Sequence, residues 1–189
     1  MKPLAYAMRP THYDEIVGQD HLVGKNGVLR KMIEANHLFS FILYGEPGCG
    51  KTTIAEATRK MVSIPSFHFN ASTDNKDILK QIINDARFNE NTIIVIDEIH
   101  RMKKDIQDFL LPYVENGTLT MIGLTTVNPY HSVNPAIRSR CHIFKLNELT
   151  NQDMLTILKR AYISMNLSVN IDPEVYDYIV GISGHEIRS

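Results

Sequence analysis

Gly45-Glu46-Pro47-Gly48-Cys49-Gly50-Lys51-Thr52 is the most informative motif in this chain. It matches the pattern G-x-x-x-x-G-K-[ST], a loop whose backbone N–H groups can surround a pyrophosphate. An apolar run over Phe39–Tyr44, predicted to be a strand, leads directly into the loop, and a helix is expected from Lys51 to Met61. The strand, the loop and the helix together predict a nucleotide-binding loop rather than a chance turn.

A second apolar run ends in two adjacent carboxylates. Ile93-Ile94-Val95-Ile96 precedes Asp97 and Glu98. A continuous aliphatic run is typical of a parallel strand buried on both faces, and ligands of open α/β sheets bind at the carboxyl edge of the strands. We therefore expect the glycine loop and the two acids to meet at that edge. The loop alone predicts nucleotide binding, whereas the loop with the acidic pair predicts nucleotide hydrolysis.

Apolar strands alternate with helical patterns as far as Leu146. Further strands are predicted at Ser66–Asn70, Leu119–Thr126 and His142–Leu146, and the run before the acids is taken as Thr92–Ile96. Further helices are expected from a cap at Ser72 or Asp74 to Phe88, and over Lys103–Val114, where Pro112 should kink or shorten the helix. Short strands separated by helices imply right-handed βαβ units. The predicted fold is a five-stranded parallel α/β sheet flanked by helices, of the P-loop NTPase class.

The pattern changes after Leu146, and no further strand is predicted. Thr150 begins a helical stretch and Pro173, at a first helical position, begins another. We therefore divide the chain into a nucleotide-binding α/β domain over 1–148 and an all-helical segment over 149–189. Because that segment is short for an independent core, we expect the chain to be part of a longer protein.

Composition limits the classes of partner. The 189 residues carry a net charge of −1, so any nucleic-acid contact must come from local patches or from several copies in a ring. Cys49 and Cys141 have neither metal-ligand nor disulfide-framework spacing, which fits a reducing compartment. The sequence has no signal-peptide h-region and no membrane span, so we expect a cytoplasmic protein without a membrane partner.

The polar side chains of the two motifs have roles that follow from their chemistry. Lys51 can reach the β- and γ-phosphates, and the Thr52 hydroxyl can ligate Mg²⁺. Asp97 is expected to bind the same ion, directly or through water, and Glu98 to polarise the attacking water as general base. ATP and Mg²⁺ are therefore the predicted cofactors. The loop residues expected to contact ATP are Gly45, Glu46, Pro47, Gly48, Cys49, Gly50, Lys51, Thr52 and Thr53.

Two further features concern the reacting phosphate. The strand predicted at Leu119–Thr126 ends in hydroxyls, and Thr126 or Thr125 would face the γ-phosphate or its water if this strand lies beside those carrying the loop and the acids. The alternative is that these threonines reflect β-propensity alone. Arg140 follows a short helix begun by Pro135, and there it is a candidate arginine finger for a neighbouring subunit's nucleotide, or a solvated surface residue.

In this order, the motifs resemble those of AAA+ ATPases of the clamp-loader clade. Within that clade the chain is similar to the replication-associated recombination protein A family (RarA/MgsA), which is related to the Werner-helicase-interacting ATPase. The stretches that carry the resemblance are Met8-Arg9-Pro10, Asp14–Leu22, Ile96–Arg101, Gln107-Asp108, Gly123–Pro129 and Ser139-Arg140-Cys141.

The resemblance implies a DNA-dependent ATPase acting in replication-fork maintenance, recombination and repair. It implies hydrolysis at the subunit interfaces of a ring, a tetramer when full length, on single-stranded, gapped or forked DNA. Single-strand-binding protein or other replisome proteins are implied partners. The implied location is the cytoplasm, in association with the nucleoid if the protein is bacterial. Since the family's C-terminal oligomerisation region is not in this sequence, we expect weak hydrolysis by the chain alone.

The resemblance also implies roles for individual residues. Arg9, Pro10, Ile16 and Val17 would line the adenine pocket, close to Gly18-Gln19. Thr126 would be sensor 1, and Arg140 a finger acting in trans. Asn70 would restrain the catalytic glutamate until DNA binds, and Arg188 would be sensor 2. These residues are Arg9, Pro10, Ile16, Val17, Asn70, Thr126, Arg140 and Arg188.

Several alternatives remain at this point. Several basic residues near the acids could follow DNA phosphates in a ring or simply keep the surface soluble. They are Lys76, Lys80, Arg101, Lys103 and Lys104. The chain could instead be a clamp-loader subunit, including an inert one, or a Holliday-junction-motor-like AAA+ protein. A P-loop kinase is a further alternative, but it does not account for Asp97-Glu98 or Ser139-Arg140-Cys141.

Overall fold

The computed structural model describes residues 8–89, 91–165 and 173–182. The strands in these ranges form one sheet in the order β2-β3-β4-β1-β5, and every neighbouring pair is parallel. The predicted five-stranded parallel sheet is therefore confirmed. The strands are β1 Phe41–Tyr44, β2 Ser66–Asn70, β3 Thr92–Asp97, β4 Leu119–Thr125 and β5 His142–Lys145.

Helices connect the strands and precede the first of them. Two short 3₁₀ helices, Tyr13–Glu15 and Ile99–Arg101, lie before the sheet and directly after β3. The α-helices are α1 Asp20–Val23, α2 Val28–Glu34, α3 Lys51–Val62, α4 Lys76–Ala86, α5 Lys104–Glu115, α6 Pro129–Ser132, α7 Pro135–Arg138, α8 Asn151–Ser164 and α9 Pro173–Ile182.

Both faces of the sheet are covered, which is why the central strands read as continuous apolar runs. Alternate residues of one strand enter different cores because strand side chains point to opposite faces. Phe41 and Leu43 of β1 pack with α1, α2 and α3, whereas Ile42 packs with α4 and α5 on the other face. The three side chains are fully buried. The result is a three-layer arrangement in which the carboxyl edge of the sheet is the open side.

The N-cap of α4 lies one residue after the predicted cap Asp74 and three after Ser72. Asn75 is the N-cap, and its Oδ1 accepts the N–H groups of Asp77 and Ile78 at 3.0 and 3.1 Å. The predicted cap Asp74 is engaged elsewhere, since its Oδ2 accepts the Asn70 N–H at 2.7 Å. The prediction of a cap at Ser72 or Asp74 was therefore wrong, because Asp74 closes the turn after β2 instead.

Pro112 does not shorten α5, which continues to Glu115. The proline lies on the exposed face of the helix, while Leu110 and Val114 on either side of it are buried against the sheet. Packing of these apolar residues offsets the hydrogen bond that the proline nitrogen cannot donate. The prediction of a shortened helix was therefore wrong.

The helices after β5 begin where the sequence pattern changed. Thr150 caps α8 in a capping box with Asp153, each side chain accepting the other's backbone N–H. Leu149, Met154 and Val180 form a small separate apolar cluster. A division at 148/149 stays a prediction. No helix within the described ranges is both long and apolar enough to cross a bilayer.

A polar cluster ties α3 to the edge strand β2. The Glu56 side chain, 11% exposed, lies 3.0 Å from His68 Nε2 and 2.8 Å from Arg59 Nη2. Arg59 also donates to Ser66 Oγ at 2.7 Å. The hydrogen bond with His68 lowers the pKa of Glu56 from 4.5 to about 2, against the opposing effect of burial and with further help from Arg59. The helix after the glycine loop is thus held to the strand that ends at Asn70.

We predict that Glu56→Gln lowers the free energy of unfolding at pH 7 by roughly 1–3 kcal/mol, because two partners lose a charged acceptor. Since the pKa of Glu56 is lower in the folded chain, its stabilisation is present above pH 4.5 and is lost as the pH falls toward 2. The variant should therefore differ most from wild type above pH 4.5 in urea unfolding. Asp85→Asn, at an exposed position, is the matched control and should differ little at any pH.

Candidate nucleotide-binding site

The site is assembled by the position of β4 between β1 and β3. Tyr44 at the end of β1 is in register with Thr125, and Ile96 near the end of β3 is in register with Gly123. The Gly45 N–H donates to the Thr125 carbonyl at 3.4 Å, so the glycine loop starts beside the end of β4. The loop and the acids therefore meet at one edge of the sheet, with β4 between them, as the sequence predicted.

The glycine loop leaves the first turn of α3 open to an anion. Gly50, the N-cap, has φ 101°, a left-handed conformation that favours glycine, and no side chain caps the helix. The first N–H groups of a helix have no partner within the helix, and they attract negative charge. An uncapped helix start after a left-handed glycine is a ready site for phosphate.

Lys51 lies in the loop with its ammonium group directed at backbone carbonyls. Its Nζ donates to the Gly45 and Glu46 carbonyls at 2.7 and 2.8 Å. A polyphosphate offers the same donors charged acceptors, which make stronger hydrogen bonds than neutral carbonyls do. Thr52 is the next residue and belongs to the first turn of α3. The loop therefore fits the phosphates of ATP.

The candidate magnesium ligands are Thr52 and Asp97. In the described part of the chain, no group of three or more His, Cys, Asp or Glu side chains is placed to hold a metal by itself. The Thr52 hydroxyl and the Asp97 carboxylate are a donor set suited to Mg²⁺, which is usually bound by one or two protein groups together with phosphates and water. The Oδ1 of Asp97 accepts the Glu98 N–H at 3.0 Å, which orients the carboxylate at the strand end.

The side chains of Cys49 and Cys141 lie in environments that disfavour the thiolate. Burial raises the pKa of the Cys49 thiol, although Lys51 nearby acts in the opposite direction. Burial also raises the pKa of the Cys141 thiol to about 12. Since the thiolate is the reactive form, neither side chain is suited to nucleophilic chemistry. Cys49 contributes its backbone to the loop and its side chain to the core.

Glu98 occupies a strained position directly after β3. Its φ of 53° is uncommon for a residue with a Cβ, and such outliers concentrate at functional sites. The turn sends the chain into the 3₁₀ helix Ile99–Arg101, which carries two basic side chains back to the carboxylate. His100 Nε2 lies 3.3 Å, and Arg101 Nε 3.7 Å, from Glu98 Oε2.

The two threonines at the end of β4 have different environments. Thr125 is buried, and its hydroxyl oxygen lies 3.0 Å from His100 Nδ1 and accepts the Val127 N–H at 3.1 Å. Thr126 is half-buried and follows directly after the strand. Because the Thr125 hydroxyl is engaged inside the protein, Thr126 is the better candidate for a contact with the γ-phosphate.

Asn70 ends β2 in register with Asp97, one strand beyond the acids. Its Oδ1 accepts the Ser72 N–H at 2.9 Å in the turn that follows. The carboxylate of Glu98 lies against His100 and Arg101 instead. Asn70 therefore lies at the same carboxyl edge of the sheet as the acids, and its strand β2 is on the opposite side of β3 from β4.

The N-terminal segment reaches the loop through Gln19, which is 1% exposed. Its Nε2 donates to the carbonyls of Cys49 and Asn147 at 3.1 and 2.8 Å, and its Oε1 accepts the Asn147 N–H at 3.0 Å. One amide group therefore joins the N-terminal segment, the glycine loop and the connection from β5 to α8. Arg160 of α8 adds a second link by donating to the Glu15 carbonyl at 2.7 Å.

The predicted adenine-pocket residues lie in this same segment. Arg9, Pro10 and Val17 are half-buried, and Ile16 packs against the core cluster below α3. Gln19, two residues after Val17, joins this segment to the loop, and an adenine pocket at these four residues stays a prediction. Arg188 lies outside the described residues.

Arg140 lies at the other end of the sheet. It precedes the first residue of β5, and its Nη2 pairs with Glu115 Oε1 at 2.8 Å, at the end of α5. β5 has four residues and runs parallel to β1, so roughly 10–13 Å of strand separates Arg140 from the edge that carries the loop. The structure therefore does not bring Arg140 to the loop of its own subunit.

Basic side chains lie at the β2–β3 side of the site. Lys76 and Lys104 begin α4 and α5, and Lys76 Nζ lies 4.9 Å from the ring centroid of Phe109 on α5. Lys80 is less available because it pairs with Asp77 at 2.8 Å and thereby lowers the pKa of that carboxyl. Arg101, Lys103 and Lys104 are exposed.

Comparison with known proteins gives the class that this fold and site define. The family model of the ATPase family associated with various cellular activities (AAA) matches residues 41–149. The chain belongs to the AAA ATPase family. The resemblance to AAA+ ATPases that the ordered sequence motifs carry is therefore confirmed.

Individual relatives make the resemblance more specific. The chain is 44% identical to Replication-associated recombination protein A of Bacillus subtilis, over 100% of this chain and 46% of that protein. It is 40% identical to ATPase WRNIP1 of Dictyostelium discoideum, over 84% of this chain and 19% of that protein. The predicted resemblance to this family is therefore confirmed, and the chain spans less than half the length of either relative.

The solved structures support the same architecture. The RuvB Holliday junction branch migration motor of Thermotoga maritima superposes with a TM-score of 0.80 at 25% identity, over 96% of this chain and 62% of that one.

Two residues of the site were not assigned a role from the sequence. His100 belongs to the stretch Ile96–Arg101 that carries the family resemblance, but no role was predicted for it, and its ring lies between Glu98 and Thr125. Gln19 was placed only near the adenine pocket, yet it joins three segments. A histidine two residues after the acidic pair was the only local signal for the first. Nothing in the local pattern indicates that Gln19 meets Asn147, 128 residues away.

We predict that Gln19→Leu destabilises the chain by roughly 1–3 kcal/mol, because the buried Cys49 carbonyl loses its donor and both hydrogen bonds with Asn147 are lost. Urea unfolding monitored by circular dichroism measures the change. Gln152→Leu, at an exposed position in the first turn of α8, is the control and should change stability by less than about 0.5 kcal/mol. Equal effects of the two substitutions would show that the Gln19 hydrogen bonds contribute little.

Proposed function

We propose that this chain binds Mg²⁺·ATP and is the nucleotide-hydrolysing part of a DNA-dependent ATPase of replication and recombination. The observation that carries the proposal is the meeting of the uncapped helix start at Lys51 with Asp97 and Glu98 at one sheet edge, across β4. A phosphate site alone would bind nucleotide. A second strand that delivers a metal-binding acid and a base beside it favours hydrolysis.

Each side chain then has a defined part in the reaction. The loop N–H groups and Lys51 hold the β- and γ-phosphates, and Thr52 with Asp97 would hold Mg²⁺, which supplies charge stabilisation at the phosphoryl oxygens when bound. Glu98 accepts a proton from the attacking water. Thr126, at the end of the strand between loop and acids, contacts the γ-phosphate or this water.

Arg140 completes the site of a neighbouring subunit. Within one subunit it lies at the amino-terminal end of the parallel strands, away from the loop. A head-to-tail ring places one end of a subunit against the other end of the next, so such a residue can reach a site only in trans. Its ion pair with Glu115 holds it on the surface, where 47% of its side chain is exposed. A ring is therefore part of the proposal, and the tetramer is the state suggested by the family resemblance.

DNA contact is assigned to the basic side chains beside the site. Arg101, Lys103 and Lys104 follow the catalytic acids within six residues, and Lys76 lies across from them on α4. Several copies of such a patch around a ring axis would supply the positive charge that one chain, with a net charge of −1, does not have. Binding there would also be well placed to influence Glu98 and Asn70.

The relatives named above support a role in replication-associated recombination. Because the fold is also similar to RuvB, a Holliday-junction-type motor remains the alternative, and stimulation of ATPase activity by four-way-junction DNA would favour it. Membership in the AAA family makes the small-molecule kinase the weaker alternative. We propose a cytoplasmic, nucleoid-associated location and contacts with replisome proteins such as single-strand-binding protein.

The first test is phosphate release by the full-length protein with no DNA and with single-stranded, gapped, forked or four-way-junction DNA. We expect at least one DNA to stimulate turnover, with strong salt dependence. Lys103→Ala with Lys104→Ala should weaken the stimulation and flatten its salt dependence, because two phosphate contacts are lost. The matched control is Lys25→Ala with Lys31→Ala, on the far side of the chain. Turnover that no DNA changes would contradict the DNA-dependent part of the proposal.

The second test separates the roles of Glu98 and Arg140. Glu98→Gln should bind ATP and lose most hydrolysis, since the amide cannot accept the proton from water. Arg140→Ala should lower hydrolysis and keep nucleotide binding. Mixing the two inactive variants should restore activity, because about a quarter of randomly formed interfaces would combine an intact Glu98 with an intact Arg140. Mixtures that stay inactive at every ratio would argue against action in trans.

A further inference from the structure

His100 bridges the proposed catalytic base to the central strand. Its Nε2 lies 3.3 Å from Glu98 Oε2, and its Nδ1 lies 3.0 Å from the hydroxyl oxygen of Thr125. The imidazole is 16% exposed, so it is largely shielded from competing water. Its position is set by the left-handed turn at Glu98 and by the buried neighbour Ile99, which anchors the 3₁₀ helix in the core.

The hydrogen-bond partners select one tautomer of the ring. The Thr125 hydroxyl has one proton, and its oxygen already accepts the Val127 N–H at 3.1 Å. If the hydroxyl donates to Nδ1, a neutral His100 carries its proton on Nε2, facing the Glu98 carboxylate. If the hydroxyl donates instead to the Val127 carbonyl at 3.2 Å, Nε2 of a neutral ring directs a lone pair at the carboxylate, which is repulsive. The first arrangement is therefore favoured.

The contacts of His100 with Glu98 and Thr125 lie on one particular side of β3. Thr125 belongs to β4, which lies between β3 and the strand that leads into the glycine loop. Asn70, the proposed restraint on Glu98, ends β2 on the opposite side of β3. A contact with His100 therefore draws the carboxylate toward the phosphates, whereas a contact with Asn70 would draw it away.

We propose that His100 is a positioning residue for ATP hydrolysis, an inference that rests on the proposed role of Glu98 as general base. It holds the carboxylate on the β4 side of the site, oriented to accept a proton from the attacking water. Because Thr126 adjoins Thr125, the same bridge connects the residue that senses the γ-phosphate to the residue that activates water. Apo contacts of this kind commonly tighten when substrate is bound, so a 3.3 Å separation suits the role.

Arg101 does not provide the same link. Its Nε is 3.7 Å from the same carboxylate oxygen, and 63% of its side chain is exposed. A solvated arginine adds charge near Glu98, but among the residues that the structure describes no hydrogen bond or ion pair joins the Arg101 side chain to β4. His100 thus differs from Arg101 in having a second, internal partner, and this difference can be tested by substitution.

The test is steady-state ATPase of the full-length protein carrying His100→Ala, His100→Gln or His100→Asn. His100→Ala should lower kcat by about 10- to 100-fold, the effect of a misplaced catalytic group, with KM and ATP binding changed less than about twofold. A glutamine amide reaches about as far as Nε2 and should recover part of kcat. An asparagine amide reaches only as far as Nδ1 and should behave like alanine. His131→Ala, at an exposed position on α6, is the control and should match wild type.

The outcomes separate this inference from the proposed function. If wild type shows no ATPase activity, the proposed function fails. If wild type is active and His100→Ala keeps its kcat, or loses ATP binding in proportion to kcat, the positioning role is wrong. Equal recovery by glutamine and asparagine would also overturn it, because that result would not depend on reaching Glu98.

A second measurement does not depend on turnover. In ¹⁵N spectra of histidine-labelled protein at neutral pH, His100 should have the proton on Nε2. Thr125→Val, which keeps the side-chain shape and removes the hydroxyl donor, should shift the ring away from this tautomer. A proton on Nδ1 in the wild type, or a spectrum unchanged by Thr125→Val, would overturn the proposed bridge.

Discussion

The parallel pairing of β4 with β1 on one side and β3 on the other is the constraint on which the site depends. Parallel strands end at the same edge, so this pairing sets the glycine loop and the acidic pair one strand apart. The register also brings Thr125 beside the start of the loop, where its carbonyl accepts the Gly45 N–H. Covering both faces with helices leaves that edge as the place where polar groups can meet a ligand.

Conformations that are locally unfavourable concentrate at this edge. Gly50 is left-handed, Glu98 is left-handed despite its side chain, and α3 starts without a cap. The surrounding core compensates for these costs: most residues of the central strands β1, β3 and β4 are buried, and Gln19 donates to the Cys49 carbonyl from a distant segment. Local strain held by a rigid core is typical of a site prepared for a ligand. Because Gln19 also contacts Asn147, a change in the loop can be transmitted to the helices after β5.

Much of this was predictable from the sequence because the signals are local. The five strands, the loop and the acids each occupy a few consecutive residues, and the predicted strand bounds differ from the structure by at most two residues. The errors arose where a local signal competed with another hydrogen bond or with packing against the core. Asp74 was a reasonable helix cap, but it caps the Asn70 N–H instead. Pro112 was a reasonable helix breaker, but burial of Leu110 and Val114 carries the helix past it.

The sequence by itself determined the class of fold and the chemistry of the main motifs, because glycine spacing, apolar runs and carboxylates act through local geometry. The tertiary structure decided which partners those motifs have. It placed β4 between loop and acids, set Arg140 at the far end of the sheet beside Glu115, and brought His100 between Glu98 and Thr125. The Arg140–Glu115 and His100–Thr125 contacts each join residues 25 positions apart, and the place of β4 depends on strand order, so all of them form only when the sheet closes its hydrogen bonds in one particular register.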